Sequence, residues 1–311
     1  MNYKLGGWLL AFTLISNIVS ASKVDTVVTR STAMKKDIKA VVITPDNYDK
    51  SKQYPVVYLL HGYSGSYANW PKATAVSASA DQYNQIVVCA DGGFGSWYWD
   101  SPVDPSFKYE TYVSKELVAW VDANYSTIKN ATGRAIAGLS MGGHGALYLA
   151  IKHPDVFGAT GSMSGGVDIR PFPNNWDMSK RLGKYAEAAD LWEKNTVINM
   201  LHLIEPKTLS IIIDCGTEDF FYEVNQELHR QLSYRNIPHD YITRPGGHTW
   251  PYWENAVKYQ LLFFIPSSQR RADSSTLLIL NRLIYYEFQF EHNICYSEVD
   301  GTQNVSNSSC L

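Results

Sequence analysis

The sequence predicts an α/β protein: a mostly parallel, twisted sheet with helices on both faces and a small inserted cap. Three observations carry this. Short apolar, β-branched runs alternate with helix-compatible runs from residue 55 to residue 264, the order expected of a covered parallel sheet. The run 55–60 is of the fully buried type, apolar at nearly every position. Between the strand-like run 134–137 and the helix-compatible run 143–151 stands Gly138-Leu139-Ser140-Met141-Gly142, a strand–turn–helix signature whose middle residue is a serine.

The first 21 residues read as a leader. Lys4 supplies the positive start, residues 8–19 an apolar stretch broken by Thr13, Ser16 and Asn17, and Val19-Ser20-Ala21 a cleavage site. The stretch is short for a bilayer span, so the mature chain is expected to be secreted or periplasmic with no integral membrane span. Residues 22–266 form the α/β domain. Runs 26–29 and 38–44 open it as strands, and 55–60 ends in His61-Gly62. The Ser/Ala-rich stretch 73–80 is expected to be helical, and strand 86–90 ends in Asp91-Gly92-Gly93. Residues 109–124 read as an amphipathic helix with Tyr112, Leu117, Trp120 and Val121 on one side. After the serine segment comes strand 158–164.

Residues 165–206 break the rhythm with Pro171, Pro173, Trp176, Trp192 and a charged helix-compatible run 180–194, and are read as the cap. Alternation resumes with strand 208–214, helix 223–235, strand 240–243 and helix 253–264. Residues 267–311 do not continue the pattern and are set apart as a tail.

Composition narrows the function. Of 311 residues, 45% are hydrophobic and 18% charged, which is ordinary globular usage. A net charge of −3 leaves no basic footprint for nucleic acid. Cys89 and Cys215 fall in or beside apolar strands and are expected to be buried thiols. Cys295 and Cys310, in the tail, are available to pair in an oxidising compartment, and no cysteine spacing suits zinc. Asn-x-Ser/Thr sequons occur at Asn124, Asn130, Asn304 and Asn307.

The chemistry centres on Ser140. A nucleophile elbow of the α/β-hydrolase type needs small residues two before and two after the serine, and Gly138 and Gly142 stand there. The helix that follows would place a partial positive charge near any oxyanion formed at Ser140. A serine hydroxyl needs a base, and the base an orienting acid. His248 is the expected base, because it follows a strand through Pro245-Gly246-Gly247 and precedes the last helix. Asp219, past the glycine turn after strand 208–214, is the expected acid, with Asp214 and Glu218 as alternatives. His144, in the first turn after the elbow, is expected to pack or cap. The oxyanion donors are expected to be the N–H of Met141 and of Tyr63, in the loop His61-Gly62-Tyr63-Ser64-Gly65.

These pieces together resemble the esterase D family of α/β-hydrolases, which includes S-formylglutathione hydrolases, tributyrin-type, acetyl xylan and feruloyl esterases, and mycolyltransferases. The resemblance rests on Leu59-Leu60-His61-Gly62-Tyr63-Ser64-Gly65, Asp91-Gly92-Gly93, Ser96-Trp97-Tyr98-Trp99-Asp100-Ser101-Pro102, Tyr109-Glu110-Thr111-Tyr112, Gly138-Leu139-Ser140-Met141-Gly142-Gly143, Gly216-Thr217-Glu218-Asp219-Phe220 and Gly247-His248. It is nearest the tributyrin and acetyl or feruloyl branch, through the Ser-Trp-Tyr-Trp segment. It implies Ser140, Asp219 and His248 as a triad, and no cofactor.

Trp70, Trp97, Trp99 and Trp250 fall in site-side loops and are expected to bind substrate by stacking. With the leader, they favour an acylated carbohydrate as partner. The expectation is a secreted serine carboxylesterase acting on short-chain or feruloyl esters. Acyl transfer to a sugar or lipid alcohol by the same triad, and a non-catalytic carbohydrate-binding protein on this scaffold, are the alternatives.

Overall fold

The structure, a computed structural model, describes residues 22–265. The leader, the tail, Cys295, Cys310 and the sequons at Asn304 and Asn307 lie outside the described residues. Eight strands form one sheet: β1 (Lys23–Ser31), β2 (Lys36–Thr44), β3 (Val56–Leu60), β4 (Ile86–Ala90), β5 (Arg134–Leu139), β6 (Ala159–Met163), β7 (Ser210–Gly216) and β8 (Asp240–Arg244), in the spatial order β1-β2-β4-β3-β5-β6-β7-β8. The pairings β1–β2 and β2–β4 are antiparallel and the rest are parallel. Every strand predicted from the sequence is present.

The helices are α1 (Asn69–Ala73), α2 (Val76–Tyr83), α3 (Tyr109–Thr111), α4 (Val118–Asn124), α5 (Met141–Lys152), α6 (Met178–Leu182), α7 (Ala189–Lys194), α8 (Tyr222–Tyr234) and α9 (Trp250–Phe263). The stretch 109–124 is helical throughout, but its middle, Tyr112–Leu117, widens to a π-helix between α3 and α4. The cap run 180–194 is not one helix. Gly183, at φ +85°, ends α6, and a turn precedes α7, because that conformation suits glycine and stops helix propagation. Among the described residues no helix is long and apolar enough to cross a membrane.

The continuous apolar strands are explained by burial on both faces. Val57 and Leu59 of β3 point to a core shared with Val76 and Ala80 of α2 and Val257 and Leu261 of α9. Val56, Tyr58 and Leu60 point the other way, to a core with Leu147 and Leu149 of α5, Val113 and Leu117. Truncating a buried leucine such as Leu59 to alanine costs about 2–5 kcal/mol. Cys89 and Cys215 are free and buried. The loops after β3, β4, β5, β6, β7 and β8 leave the carboxyl ends of the parallel strands, where ligands bind in such sheets.

Candidate active site

Ser140 sits between β5 and α5 at φ 56°, ψ −120°. A non-glycine residue held there costs on the order of 1–3 kcal/mol, so the surroundings must impose it. Ser140 N donates to Met163 O at 2.9 Å, while Ser140 O accepts from His144 N at 3.0 Å and Gly166 N at 3.3 Å. The flanking glycines are required by contact. A Cβ on Gly138 would lie 2.4 Å from the Gly142 backbone, and one on Gly142 would lie 2.4 Å from Leu60 O. The elbow is therefore wedged against the end of β3.

His248 reaches this serine from the loop between β8 and α9. Its Nε2 lies 2.9 Å from Ser140 Oγ. Its Nδ1 lies 2.8 Å from Asp219 Oδ2 and 3.0 Å from Oδ1. A carboxylate beside Nδ1 fixes the proton there, leaving the Nε2 lone pair to accept the Ser140 hydroxyl. Asp219 is itself held by Phe221 N, which donates to Oδ1 at 2.8 Å. The two alternative carboxylates lie elsewhere. Glu218 is exposed. Asp214 is fully buried and accepts from Tyr252 Oη at 2.5 Å and from the Arg244 guanidinium. Burial pushes the Asp214 carboxyl above the usual carboxylate range, although Tyr252 and Arg244 pull it back.

On the other side of the serine lies the loop after β3. Gly62 is pressed against the elbow: a Cβ there would sit 2.7 Å from Leu139 Cδ1 and 3.3 Å from Ser140 Cβ. Met141 begins α5, so its N–H has no intrahelical acceptor. Among the described residues no acceptor takes the Tyr63 N–H. Two free amides thus flank the serine on loops packed against each other. Buried His61 anchors this loop. Its Nε2 accepts from Gly92 N at 2.7 Å, so Nδ1 carries the proton and donates to Gly62 O at 2.8 Å. Burial lowers the His61 pKa, outweighing Gly62 O and Asp91; the ring stays neutral.

A cleft of about 460 Å³ opens over Ser140 and His248, walled by Tyr63, Trp176, Phe220, Trp250 and Trp253. Of the four tryptophans expected to stack on substrate, only Trp250 lines it. Trp70, Trp97 and Trp99 are at most 1% exposed, which corrects the expectation. Trp70 Nε1 donates to Leu60 O at 3.1 Å and its ring lies edge-on beneath Trp250. Trp97 and Trp99 stack on each other 5.7 Å apart and meet His144 edge-on. Trp99 Nε1 donates to His144 Nε2 at 3.0 Å, and His144 Nδ1 donates to Gly166 O at 3.1 Å. These rings pack beneath the site, and His144 packs with them as expected.

Trp253, in the run 250–253 that the sequence places beside the site, also lines the cleft, whereas sequence reasoning missed Trp176 and Phe220 as cleft residues. Phe220 is 53% exposed, its ring 4.2 Å from His248 and stacked on Trp176 at 5.7 Å. Its signal was its place immediately after Asp219. Trp253 lies edge-on to His248 at 4.8 Å and donates to Ser164 Oγ at 3.1 Å.

The fold and this constellation define an α/β-hydrolase. The chain belongs to the esterase family described as "Putative esterase", whose model matches residues 31–264. Among curated relatives, Esterase Rv1288 of Mycobacterium tuberculosis is 31% identical over 239 residues, covering 67% of this chain and 52% of the relative; the chain thus spans about half that relative's length. Diacylglycerol acyltransferase/mycolyltransferase Ag85B of Mycobacterium leprae is 30% identical over 260 residues, covering 69% of this chain and 78% of the relative. Among solved structures, a ferulic acid esterase superposes with a TM-score of 0.68 at 28% identity, covering 79% of this chain and 98% of that one. The esterase D resemblance holds.

Proposed function

We propose that the chain is a secreted serine carboxylesterase that cleaves short-chain or feruloyl esters, carried on a carbohydrate alcohol, through an acyl-enzyme. The observation that carries this reading is the unbroken relay Ser140 Oγ, His248 Nε2, His248 Nδ1 and Asp219, with contacts of 2.9 Å and 2.8 Å, at the floor of the cleft. Ser140 Oγ attacks the ester carbonyl carbon as its proton passes to His248 Nε2. Asp219 stabilises the imidazolium without taking its proton. The tetrahedral oxyanion is held by the N–H groups of Met141 and Tyr63, each such donor being worth about 2.7–4 kcal/mol in the transition state. Collapse breaks the carbon–oxygen bond, and the leaving alcohol takes the proton from Nε2. Water, deprotonated by His248, then releases the acid and restores Ser140.

The walls Trp176, Phe220, Trp250 and Trp253 support a planar, aromatic acyl group, and the relative named ferulic acid esterase supports the same reading. With three of the four expected stacking tryptophans buried, the support for a carbohydrate alcohol comes from Trp250 and from the leader-like sequence of residues 1–21. Ser140→Ala is expected to lower hydrolysis of p-nitrophenyl acetate by on the order of 10⁴-fold or more; near wild-type activity would refute the reading. Assays on feruloylated against acetylated xylan fragments decide the acyl group.

A second reading is favoured by the relative named as an acyltransferase/mycolyltransferase: the same acyl-enzyme is discharged onto an alcohol. Product analysis with a sugar acceptor present separates the two, free acid supporting hydrolysis and a new ester supporting transfer.

A further inference from the structure

His248 lies in a five-residue connection, Pro245-Gly246-Gly247-His248-Thr249, between β8 and α9. Two adjacent glycines leave such a loop with little stiffness of its own. Yet its imidazole must meet both Ser140 and Asp219 at hydrogen-bond distance. A misplacement of about 1 Å at such a site costs about 10²-fold in rate. Something outside the loop must hold its two stems, and the structure contains a device that does so.

Arg244, the last residue of β8, is one stem; Tyr252, in the first turn of α9, is the other. Both bind a single carboxylate, Asp214 of β7. The Arg244 guanidinium donates to its Oδ2, and the Tyr252 hydroxyl donates to its Oδ1 at 2.5 Å. Asp214 is 0% exposed, so water does not loosen these bonds. The Arg244 guanidinium also lies over the rings of Tyr259, at 4.7 Å, and Tyr252, at 5.4 Å.

The same stem is tied to the loop bearing Asp219. Thr217 N donates to Arg244 O at 2.9 Å, and Glu218 N donates to Gly246 O at 3.0 Å. The two loops are in such close contact that a Cβ on Gly216 would lie 2.0 Å from Gly246 O. A Cβ on Gly246 would in turn lie 2.7 Å from the Tyr252 ring.

We infer that Asp214, Arg244 and Tyr252 form a positioning brace that sets the meeting point of His248 and Asp219. None of the three touches Ser140 or the reacting carbonyl; they act through His248. The inference rests on the hydrolase reading above and deepens it. The alternative is that the buried cluster serves stability alone.

Tyr252→Phe removes one hydroxyl and keeps the ring packed against Gly246. With active sites titrated so that only folded enzyme is counted, it is expected to lower kcat for p-nitrophenyl acetate about tenfold, with KM within about twofold. Asp214→Asn is expected to lower kcat further. In a His248→Ala background Tyr252→Phe is expected to leave the residual rate unchanged, because the residue it positions is gone. Wild-type kcat per titrated site in Tyr252→Phe, or an equal fractional loss with and without His248, would overturn the brace. Fluorophosphonate labelling of the wild type, abolished by Ser140→Ala, reports the hydrolase reading separately, so failure of the brace and failure of that reading give different results.

Discussion

Acid will loosen the packing beneath the nucleophile elbow, and the group responsible is His144. This ring is 0% exposed, one turn into α5. Its Nε2 accepts from Trp99 and its Nδ1 donates to Gly166 O. Both nitrogens are therefore satisfied in the neutral form, and a second proton on Nε2 would confront the Trp99 N–H. Burial pushes the pKa from 6.5 down to about 3, against the weaker opposing pull of Gly166 O. Below 6.5 the unfolded chain binds a proton that the folded chain refuses. Stability is therefore full above that value and falls as the pH drops from 6.5 toward 3. At roughly 1.36 kcal/mol per unit, a pH about two units below 6.5 removes about 2.7 kcal/mol. The assay is urea unfolding of wild type and His144→Gln, at slightly alkaline pH and at about two units below 6.5. The variant starts less stable, by about 1–3 kcal/mol, because Gly166 O loses its Nδ1–H donor. It lacks the titration, so the gap narrows by about 2–3 kcal/mol at the lower pH. His61 is pushed in the same direction by its own burial and adds to the loss in both proteins, which is why the difference is the measurement. A gap independent of pH would refute the argument.

Asp219→Asn is expected to lower kcat by on the order of 10⁴-fold by upsetting the His248 tautomer, whereas Glu218→Gln, at an exposed side chain, stays within about twofold; steady-state kinetics on p-nitrophenyl acetate distinguish them. Gly142→Ala is expected to abolish activity in whatever protein folds, since its Cβ would meet the backbone oxygen of Leu60 at 2.4 Å, and circular dichroism alongside the assay checks it. Glu110 concerns stability. Burial alone would raise its pKa, but hydrogen bonds from His153 and Lys152 and the Lys152 charge hold it down from 4.5 to about 2. Its contribution, about 3 kcal/mol at most, is full above pH 4.5 and lost as the pH falls toward 2. The stability gap between wild type and Glu110→Gln is expected to close over that range in urea unfolding.

The residues proposed to react were legible because the proposed chemistry constrains the local chain. Gly138 and Gly142 are demanded by backbone contacts of 2.4 Å. A base on a glycine turn after a strand leaves one histidine in place, and the alternation of strands and helices puts its loop beside the elbow. The choice among Asp214, Glu218 and Asp219 was harder, because all three lie on one strand end and its loop. What separates them is side-chain direction: Asp214 points into the sheet to meet Arg244 and Tyr252, and Asp219 turns back to His248. The cap run 180–194 is charged and helix-compatible along most of its length, which hides the single glycine, Gly183, that breaks it into two helices.

The tryptophans misled for a physical reason. A loop at the carboxyl end of a parallel sheet is a good place for a substrate-binding ring, but it also roofs the elbow helix. That helix begins Met141-Gly142-Gly143-His144-Gly145; Gly142 and Gly143 let it close on the end of β3 and on Ser162 and Gly165, while Gly145 leaves a hollow on the side of the loop after β4. Large rings fill the hollow: Tyr98 sits where a Cβ on Gly145 would be, 2.3 Å from its ring, and Trp97 and Trp99 close over His144. Trp97 and Tyr98 both adopt positive φ, at 55° and 62°, in a segment folded onto the helix rather than toward solvent. Gly145 thus admits the aromatic residues of the loop after β4 into the core, a different glycine from those that let the helix approach β3 and β6. The cleft is lined instead by a different set of rings, supplied by the cap and by the residues next to Asp219 and His248.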